Sequence, residues 1–175
     1  MMQYKNHSGG AVGSDYQWGK QGEKYGVVSL HYWHGKKTPY GNYEISEKDF
    51  EEGKKHVLKA NKTLKRKPEK YMDLLARNYI QVKNSDAVFA IADKIEKNIV
   101  SGGTGWAVQM AIEDKKPVFV FLQHIDKWVT YVETGWMYYP FTPKLTINFA
   151  GIGTRQINDA GIKAIEEVYK ETFER

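Results

Sequence analysis

Near the N-terminus the chain runs His7-Ser8-Gly9-Gly10-Ala11-Val12-Gly13-Ser14-Asp15. Glycine tolerates a positive φ and lets the backbone approach a ligand closely, so this density of glycine predicts a tight turn. A short strand that ends at His7 is predicted before the turn, and a helix over residues 14–25 is predicted after it. The free N–H groups and partial positive charge at the start of such a helix suit a phosphate group.

Two further turns share this composition. They are Val100-Ser101-Gly102-Gly103-Thr104-Gly105-Trp106 and Ala150-Gly151-Ile152-Gly153-Thr154-Arg155. Each follows a predicted strand and precedes a predicted helix, and in open α/β sheets such loops lie along the carboxyl edge of the strands, where ligands bind. One turn of this kind is often only structural, whereas three in 175 residues predict a shared ligand pocket at that edge.

The rest of the chain alternates strands and helices. Continuous apolar runs over residues 87–92 and 117–122 are typical of strands buried on both faces of a parallel sheet, and strands are also predicted over 27–33 and 145–150. The predicted helices cover residues 46–65 (with Ser46 as the N-cap), 68–82, 104–114 and 157–173. The aromatic segment 128–141 is predicted to be irregular. The pattern predicts one domain over residues 1–175, a Rossmann-like three-layer α/β sandwich with a mainly parallel sheet of about five strands.

Composition narrows the classes of function. The chain has no cysteine, which excludes disulfides, thiolate catalysis and cysteine-based zinc sites. Its apolar runs fall far short of the ~20 residues of a membrane helix, and no secretory signal is evident, so a cytoplasmic protein without a membrane partner is expected. The net charge of +5 suits a phosphate-bearing ligand. Nucleic acid is not favoured as a partner, because the lysines are scattered and their densest cluster, residues 59–67, lies at a predicted helix end.

In its glycine-rich turns the sequence resembles the SLOG superfamily, which groups the LONELY GUY cytokinin-activating hydrolases, the YpsA-like proteins and the DNA-processing protein A domain. The Ser-Gly-Gly-Ala turn, residues 8–15, comes first here, and the Gly-Ile-Gly-Thr-Arg turn, residues 151–155, comes last. That order resembles the circularly permuted YpsA-like branch. The resemblance implies a nucleotide-binding fold, a capacity to form homo-oligomers, and a last strand that lies inside the sheet beside the N-terminal strand.

The hydrolases of that superfamily carry two further motifs, whose arginine and glutamate act on the N-glycosidic bond of a nucleoside monophosphate. The first is similar to Arg77-Asn78-Tyr79-Ile80-Gln81, which keeps the arginine. The second is similar to residues 101–109, which keep the glycines but have Trp106 in the threonine position and Gln109 in the glutamate position. An amide can neither act as a general base nor supply a full negative charge to an oxocarbenium ion, so this departure favours binding over hydrolysis.

Two functions stay open from the sequence. The first is binding, sensing or sequestration of a nucleotide-derived ligand, which the resemblance implies to be ADP-ribose-like or cyclic-nucleotide-like. The second is a nucleotide-processing hydrolase, similar to the phosphoribohydrolases, with Asp15, Arg77 and Glu133 as catalytic candidates. No cofactor is expected, and no metal site is expected because His31 and His34 have no evident third ligand.

The ligand-binding residues are expected in the three turns and at Arg77. They are Ser8, Gly9, Gly10, Gly13, Asp15, Arg77, Gly102, Gly103, Thr104, Gly105, Trp106, Gly151, Gly153, Thr154 and Arg155. Arg155 could bind a phosphate through two guanidinium nitrogens or form a surface ion pair. Asp15 could contact a ribose or act only as a favourable charge at a helix N-terminus. Trp106 could stack on a base or pack between helix and sheet, and packing is the preferred interpretation for Trp18.

Overall fold

The protein is built on an eight-stranded sheet in the computed structural model, which describes residues 2–174. The strands of this part of the chain are β1 Lys5–Ser8, β2 Val28–Trp33, β3 Tyr43–Glu44, β4 Ala87–Ala92, β5 Ile95–Glu96, β6 Ile99–Val100, β7 Val118–Leu122, β8 Lys127–Val132, β9 Gly135–Tyr138 and β10 Asn148–Gly153. The sheet has the order β3-β2-β1-β10-β4-β7-β8-β9, and β5 pairs with β6 in a separate small hairpin. Neighbouring strands from β3 to β7 in this order are parallel, whereas β8 and β9 add an antiparallel hairpin at the edge.

Helices cover both faces of the sheet. They are α1 Ser14–Glu23, α2 Glu47–Leu64, α3 Met72–Lys83, α4 Thr104–Glu113 and α5 Asp159–Phe173, with a 3-10 turn at Glu69–Tyr71. Helices α1 and α5 pack together over a core that includes Trp18, Phe89, Phe149, Ile165 and Tyr169. Helices α2, α3 and α4 pack together on the other face. The predicted Rossmann-like three-layer α/β sandwich is therefore confirmed.

Local sequence explains where these elements begin. Every residue of β4 is buried, which is the two-sided burial that its continuous apolar run predicts. The Ser46 hydroxyl accepts a hydrogen bond from the Asp49 N–H at 3.1 Å, so the predicted N-cap of α2 is confirmed. No helix within residues 2–174 has the length and apolar character needed to span a membrane.

The last strand lies where the permuted order predicts it. Strand β10 is inside the sheet, between β1 and β4, with Asn148 opposite Lys5 and Phe149 opposite Ala87. The rings of Tyr4 and Phe173 pack edge-to-face with their centroids 4.8 Å apart, so the residue before β1 contacts the last residue of α5. Membership of the SLOG superfamily itself stays a prediction.

The bounds of that strand need a correction. The sequence predicts it over residues 145–150, but it runs Asn148–Gly153, so the Gly-Ile-Gly segment belongs to the strand and the turn begins at Thr154. Gly153 lies opposite Ile91, and a Cβ on Gly153 would overlap the Ile91 backbone. Small residues let β10 pack this closely against its neighbours. A glycine-rich composition is usually typical of a turn, but in this segment it belongs to a closely packed strand.

The sequence predicts that the aromatic segment 128–141 is irregular, and this prediction is wrong. Most of the segment forms the hairpin of β8 and β9. Trp128 is buried and packs edge-to-face on Phe121, while Tyr131 packs on Trp136 across the hairpin. Aromatic residues therefore occur at buried and at exposed positions of the hairpin, which hides the alternation by which a half-buried strand is recognised. The hairpin is one reason why the sheet has eight strands rather than about five.

Candidate functional site

The site lies where the chain reverses its direction of travel across the sheet. From β1 the chain passes through α1 to β2 on one side, and from β4 it passes through α4 to β7 on the other. Strand β10 lies between β1 and β4, so its carboxyl end faces the crevice between the two diverging units. Such a switch point is the usual ligand position in an open α/β sheet.

A cavity of about 670 Å³ occupies this crevice, and residues from all three glycine-rich turns line it. The first turn contributes Ala11 and Asp15, the second contributes residues 101–104 with Trp106, and the third contributes residues 152–156. The predicted convergence of the three turns on one pocket is confirmed. Binding of a ligand there stays a prediction.

In the first turn the glycines make room for protein groups. A Cβ on Gly9 would overlap the Arg77 guanidinium, and one on Gly13 would overlap the Arg155 backbone. Gly10 has a φ of 66° and its carbonyl accepts a hydrogen bond from the Tyr40 N–H at 2.9 Å. The neighbouring Ser8 hydroxyl is buried and donates to the Gly151 carbonyl at 2.6 Å. Ser8, Gly9, Gly10 and Gly13, all expected to bind the ligand, are therefore engaged in packing and are not among the residues that line the cavity.

The third turn joins β10 to the first turn. A Cβ on Gly151 would overlap Trp18, whose indole is fully buried and donates to the Ile152 carbonyl at 3.1 Å. The Thr154 carbonyl accepts the Ser14 N–H at 3.0 Å, which ties the start of α1 to the end of β10. Arg155 is exposed and lines the cavity.

The second turn differs, because its first two glycines face open space. A Cβ added to Gly102 or Gly103 would meet no atom within 4 Å, and Gly103 has the ordinary helical φ of −61°. Neither packing nor backbone conformation within the described residues requires glycine at position 103. Helix α4 starts directly after it without a side-chain cap. The Gly105 and Trp106 N–H groups donate to the Gly102 and Gly103 carbonyls at 3.2 and 3.1 Å, so only the N–H groups of Gly103 and Thr104 remain as donors at this helix start. Gly105, in contrast, packs closely against the Val100 carbonyl.

Two buried ionisable side chains line the cavity. Arg77 and Asp15 are each 5% exposed and both line the cavity, but they form no ion pair within 4.0 Å in the described structure. The Arg77 Nη1 donates to the Asn78 Oδ1 at 2.9 Å, whereas its Nε is buried and finds no partner among residues 2–174. Buried donors are nearly always hydrogen-bonded in native proteins, so an unpaired guanidinium nitrogen in a side chain that lines the cavity is exceptional.

The interactions of the Asp15 carboxylate offset only part of the cost of burying its negative charge. Burial raises its pKa, while the nearby Arg77 guanidinium and the hydrogen bond from the Ala11 N–H, at 3.2 Å, act in the opposite direction. The net effect is a pKa above the ordinary value of an aspartate. A carboxyl group in this environment can accept a hydrogen bond from a ligand hydroxyl or exchange a proton.

The remaining walls are mixed in character. Trp106 is 5% exposed and belongs to the core between α2, α3 and α4, yet it also lines the cavity, as does the exposed Tyr71. Arg66 and Lys67, from the connection between α2 and α3, add positive charge. The sequence indicates only that this basic segment complements a helix dipole and does not reveal it as part of the site, because only the packing of α2 against α4 brings it to the cavity.

Other residues singled out from the sequence lie elsewhere. Glu133 is exposed in the turn between β8 and β9 and is not among the residues that line the cavity. Gln109 is half-buried on α4, where it interacts with the Glu113 carboxylate, and it does not line the cavity either. His34 bonds Asp73 and Glu47 through its two ring nitrogens. Burial and Arg77 lower the pKa of His31 to about 4, so this ring is neutral at pH 7.

No protein-family model, curated protein or solved structure matches the chain. The site is therefore defined by its own geometry: an uncapped helix start, an open glycine and a buried guanidinium that meet at one cavity.

Proposed function

We propose that the protein binds a nucleotide-derived ligand at this cavity, with a phosphate group on the second glycine-rich turn, as a SLOG-like sensor, carrier or sequestering protein. One observation carries the proposal: the uncapped start of α4 and the buried Arg77, with its unpartnered Nε, line the same cavity. A phosphate oxygen is an acceptor that can satisfy both a helix N-terminus and a guanidinium.

The other walls suit the remainder of a nucleotide. Asp15 offers an acceptor for a ribose hydroxyl beside Arg77, and Trp106 and Tyr71 offer aromatic surface for a base. The volume of about 670 Å³ is within the usual range for small-molecule sites. ADP-ribose-like and cyclic-nucleotide-like ligands carry all three of these groups.

The test is calorimetric titration with AMP, ADP, ADP-ribose and NAD, using wild type and Gly103→Ala. The added methyl group meets no protein atom and fits a φ of −61°, so the variant should fold normally. It would project into the space where a phosphate must approach, and a loss of affinity of at least about tenfold is expected. Equal affinity in the two proteins would contradict a phosphate position on this turn.

Gly26→Ala is the matched control. It also adds a methyl group in open space, but at a φ of 72° in a turn that does not line the cavity. The strained φ should lower the free energy of unfolding by about 1 kcal/mol without changing affinity. A variant that is less stable yet binds fully would show that stability alone does not explain the Gly103 result.

A hydrolase is the second candidate, and the buried Asp15 favours it. A carboxyl group with a raised pKa, lining a cavity beside a guanidinium, has the properties of a general acid or base. We expect no fast hydrolysis of AMP or NAD, measured by chromatographic detection of the free base. Turnover by wild type that Asp15→Asn abolishes, with binding retained, would establish the hydrolase instead.

A further inference from the structure

Arg66 holds the second glycine-rich turn by its backbone carbonyls. Its Nη1 donates to the Gly102 carbonyl at 2.8 Å, and its Nη2 lies 3.4 Å from the Val100 carbonyl. A guanidinium can span two acceptors because its N–H donors form a rigid planar fork, which a lysine ammonium lacks. The side chain therefore bridges the two ends of the segment that precedes α4.

The backbone of Arg66 is itself fixed. The Asn61 side chain accepts the Arg66 N–H at 2.7 Å and donates to the Arg66 carbonyl at 2.8 Å. Lys65, between them, is the C-cap of α2 and has a left-handed φ of 54°. Helix α2 thus ends in a structure that holds Arg66 in place, and packing of α2 against α4 brings it to the turn.

Holding the Gly102 carbonyl also orients the next N–H. A trans peptide is planar, so the Gly103 N–H points opposite to the Gly102 carbonyl. That carbonyl accepts from Arg66 and, at 3.2 Å, from the Gly105 N–H. The Gly103 N–H therefore points away from Arg66 and from the body of α4, to the open side of the turn.

We infer that Arg66 is a positioning residue for phosphate binding: it fixes the Gly102–Gly103 peptide so that the Gly103 N–H meets a phosphate oxygen of the ligand. The inference rests on the proposed function. By this inference Arg66 orients the Gly102–Gly103 peptide in addition to supplying positive charge. Lys67 lines the same cavity and serves as a control that supplies charge without orienting the peptide.

The first measurement uses the ligand-free protein. The Gly103 amide chemical shift and N–H residual dipolar coupling report the direction of this bond in wild type, Arg66→Lys, Arg66→Met and Lys67→Met. We expect both Arg66 variants to change the coupling, because neither side chain can bridge the two carbonyls. Lys67→Met should leave it unchanged. An unchanged coupling in folded Arg66→Lys would overturn the inference, whether or not any nucleotide binds.

The second measurement is titration of the same proteins with AMP. Loss of a charge-assisted, pre-organised contact predicts about tenfold weaker binding for Arg66→Met and about fivefold for Arg66→Lys. Lys67→Met, which removes one charge from the cavity wall but no bridge between carbonyls, should weaken binding by only about two- to threefold. Asn61→Ala should weaken binding in the same direction as Arg66→Lys, because it frees the Arg66 backbone. Equal losses of affinity in Arg66→Met and Lys67→Met would show that Arg66 acts only through its charge. Absence of binding to wild type would count against the proposed function, and the coupling would still decide the role of Arg66.

Discussion

Glycines that look alike in the sequence have different tasks. Gly9 makes room for the Arg77 guanidinium, whereas Gly103 faces open space. The sequence predicts the first two turns, because runs of glycine between a strand and a helix are typical of tight turns, whereas the Gly-Ile-Gly segment of the third belongs to strand β10. It cannot separate the packing glycines from the open one, because the deciding neighbour of Gly9 is Arg77, which lies on a helix far along the chain.

Gly9→Ala should therefore behave differently from Gly103→Ala. The methyl group would overlap a buried guanidinium, and overpacking of this kind lowers the free energy of unfolding by about 1–3 kcal/mol. Because Arg77 must move, binding of a nucleotide should also weaken. Urea denaturation and nucleotide titration of the two variants test the contrast, and equal stability of Gly9→Ala and wild type would contradict the described position of Arg77.

The hydrogen bonds of His34 predict that the stability of the protein depends on pH. Burial alone would lower its pKa, but hydrogen bonds to Glu47 and Asp73, at 2.7 and 2.6 Å, outweigh burial and raise the pKa above 6.5. The stabilisation is complete below pH 6.5 and is lost as the pH rises through the raised folded-state value. We expect NMR titration to give a pKa above 6.5 for this ring, and His34→Gln should remove that part of the pH dependence of urea unfolding. A folded-state pKa below 6.5 would contradict the two ion pairs.

At the scale of elements, buried parallel strands were predictable and the edge hairpin was not. Strand β4 is apolar throughout because both of its faces are covered, and this leaves a clear mark in the sequence. The hairpin of β8 and β9 is anchored by Trp128 but also exposes Tyr138, so its aromatic content shows no simple alternation. Tertiary contacts, here the packing of Trp128 on Phe121, select the strand conformation.

We expect the buried side chains of the hairpin, and not its exposed ones, to contribute to the stability of the fold. Trp128 is 7% exposed and Tyr138 is 63% exposed. Trp128→Ala should lower the free energy of unfolding by about 3–5 kcal/mol, while Tyr138→Ala should change it by less than about 1 kcal/mol. Denaturant unfolding of both variants measures this difference, and similar small effects would mean that the hairpin does not contribute to the core.

At the scale of the whole molecule, we expect the fold to tolerate a different order of the elements along the chain. Strand β10 belongs to the centre of the sheet although it comes last, and Tyr4 packs on Phe173. A protein in which residues 174 and 2 are joined by about six glycine and serine residues and the chain is opened after the exposed Phe141 should fold. Its amide spectrum should resemble that of wild type, with a cooperative thermal transition. A molten or unfolded product would show that the present order is required.

The central claim, that a phosphate group binds between the start of α4 and Arg77, can be tested at a single N–H group. The Arg77 Nε–H is buried without a partner in residues 2–174, so its nitrogen-15 NMR signal reports directly on an arriving acceptor. Titration with AMP, ADP and ADP-ribose should shift this signal and the Gly103 amide together, with the same dissociation constant, and Gly103→Ala should abolish or strongly weaken both changes. If millimolar concentrations of all three nucleotides leave both signals unmoved, or shift only signals outside the cavity, the proposed site is contradicted.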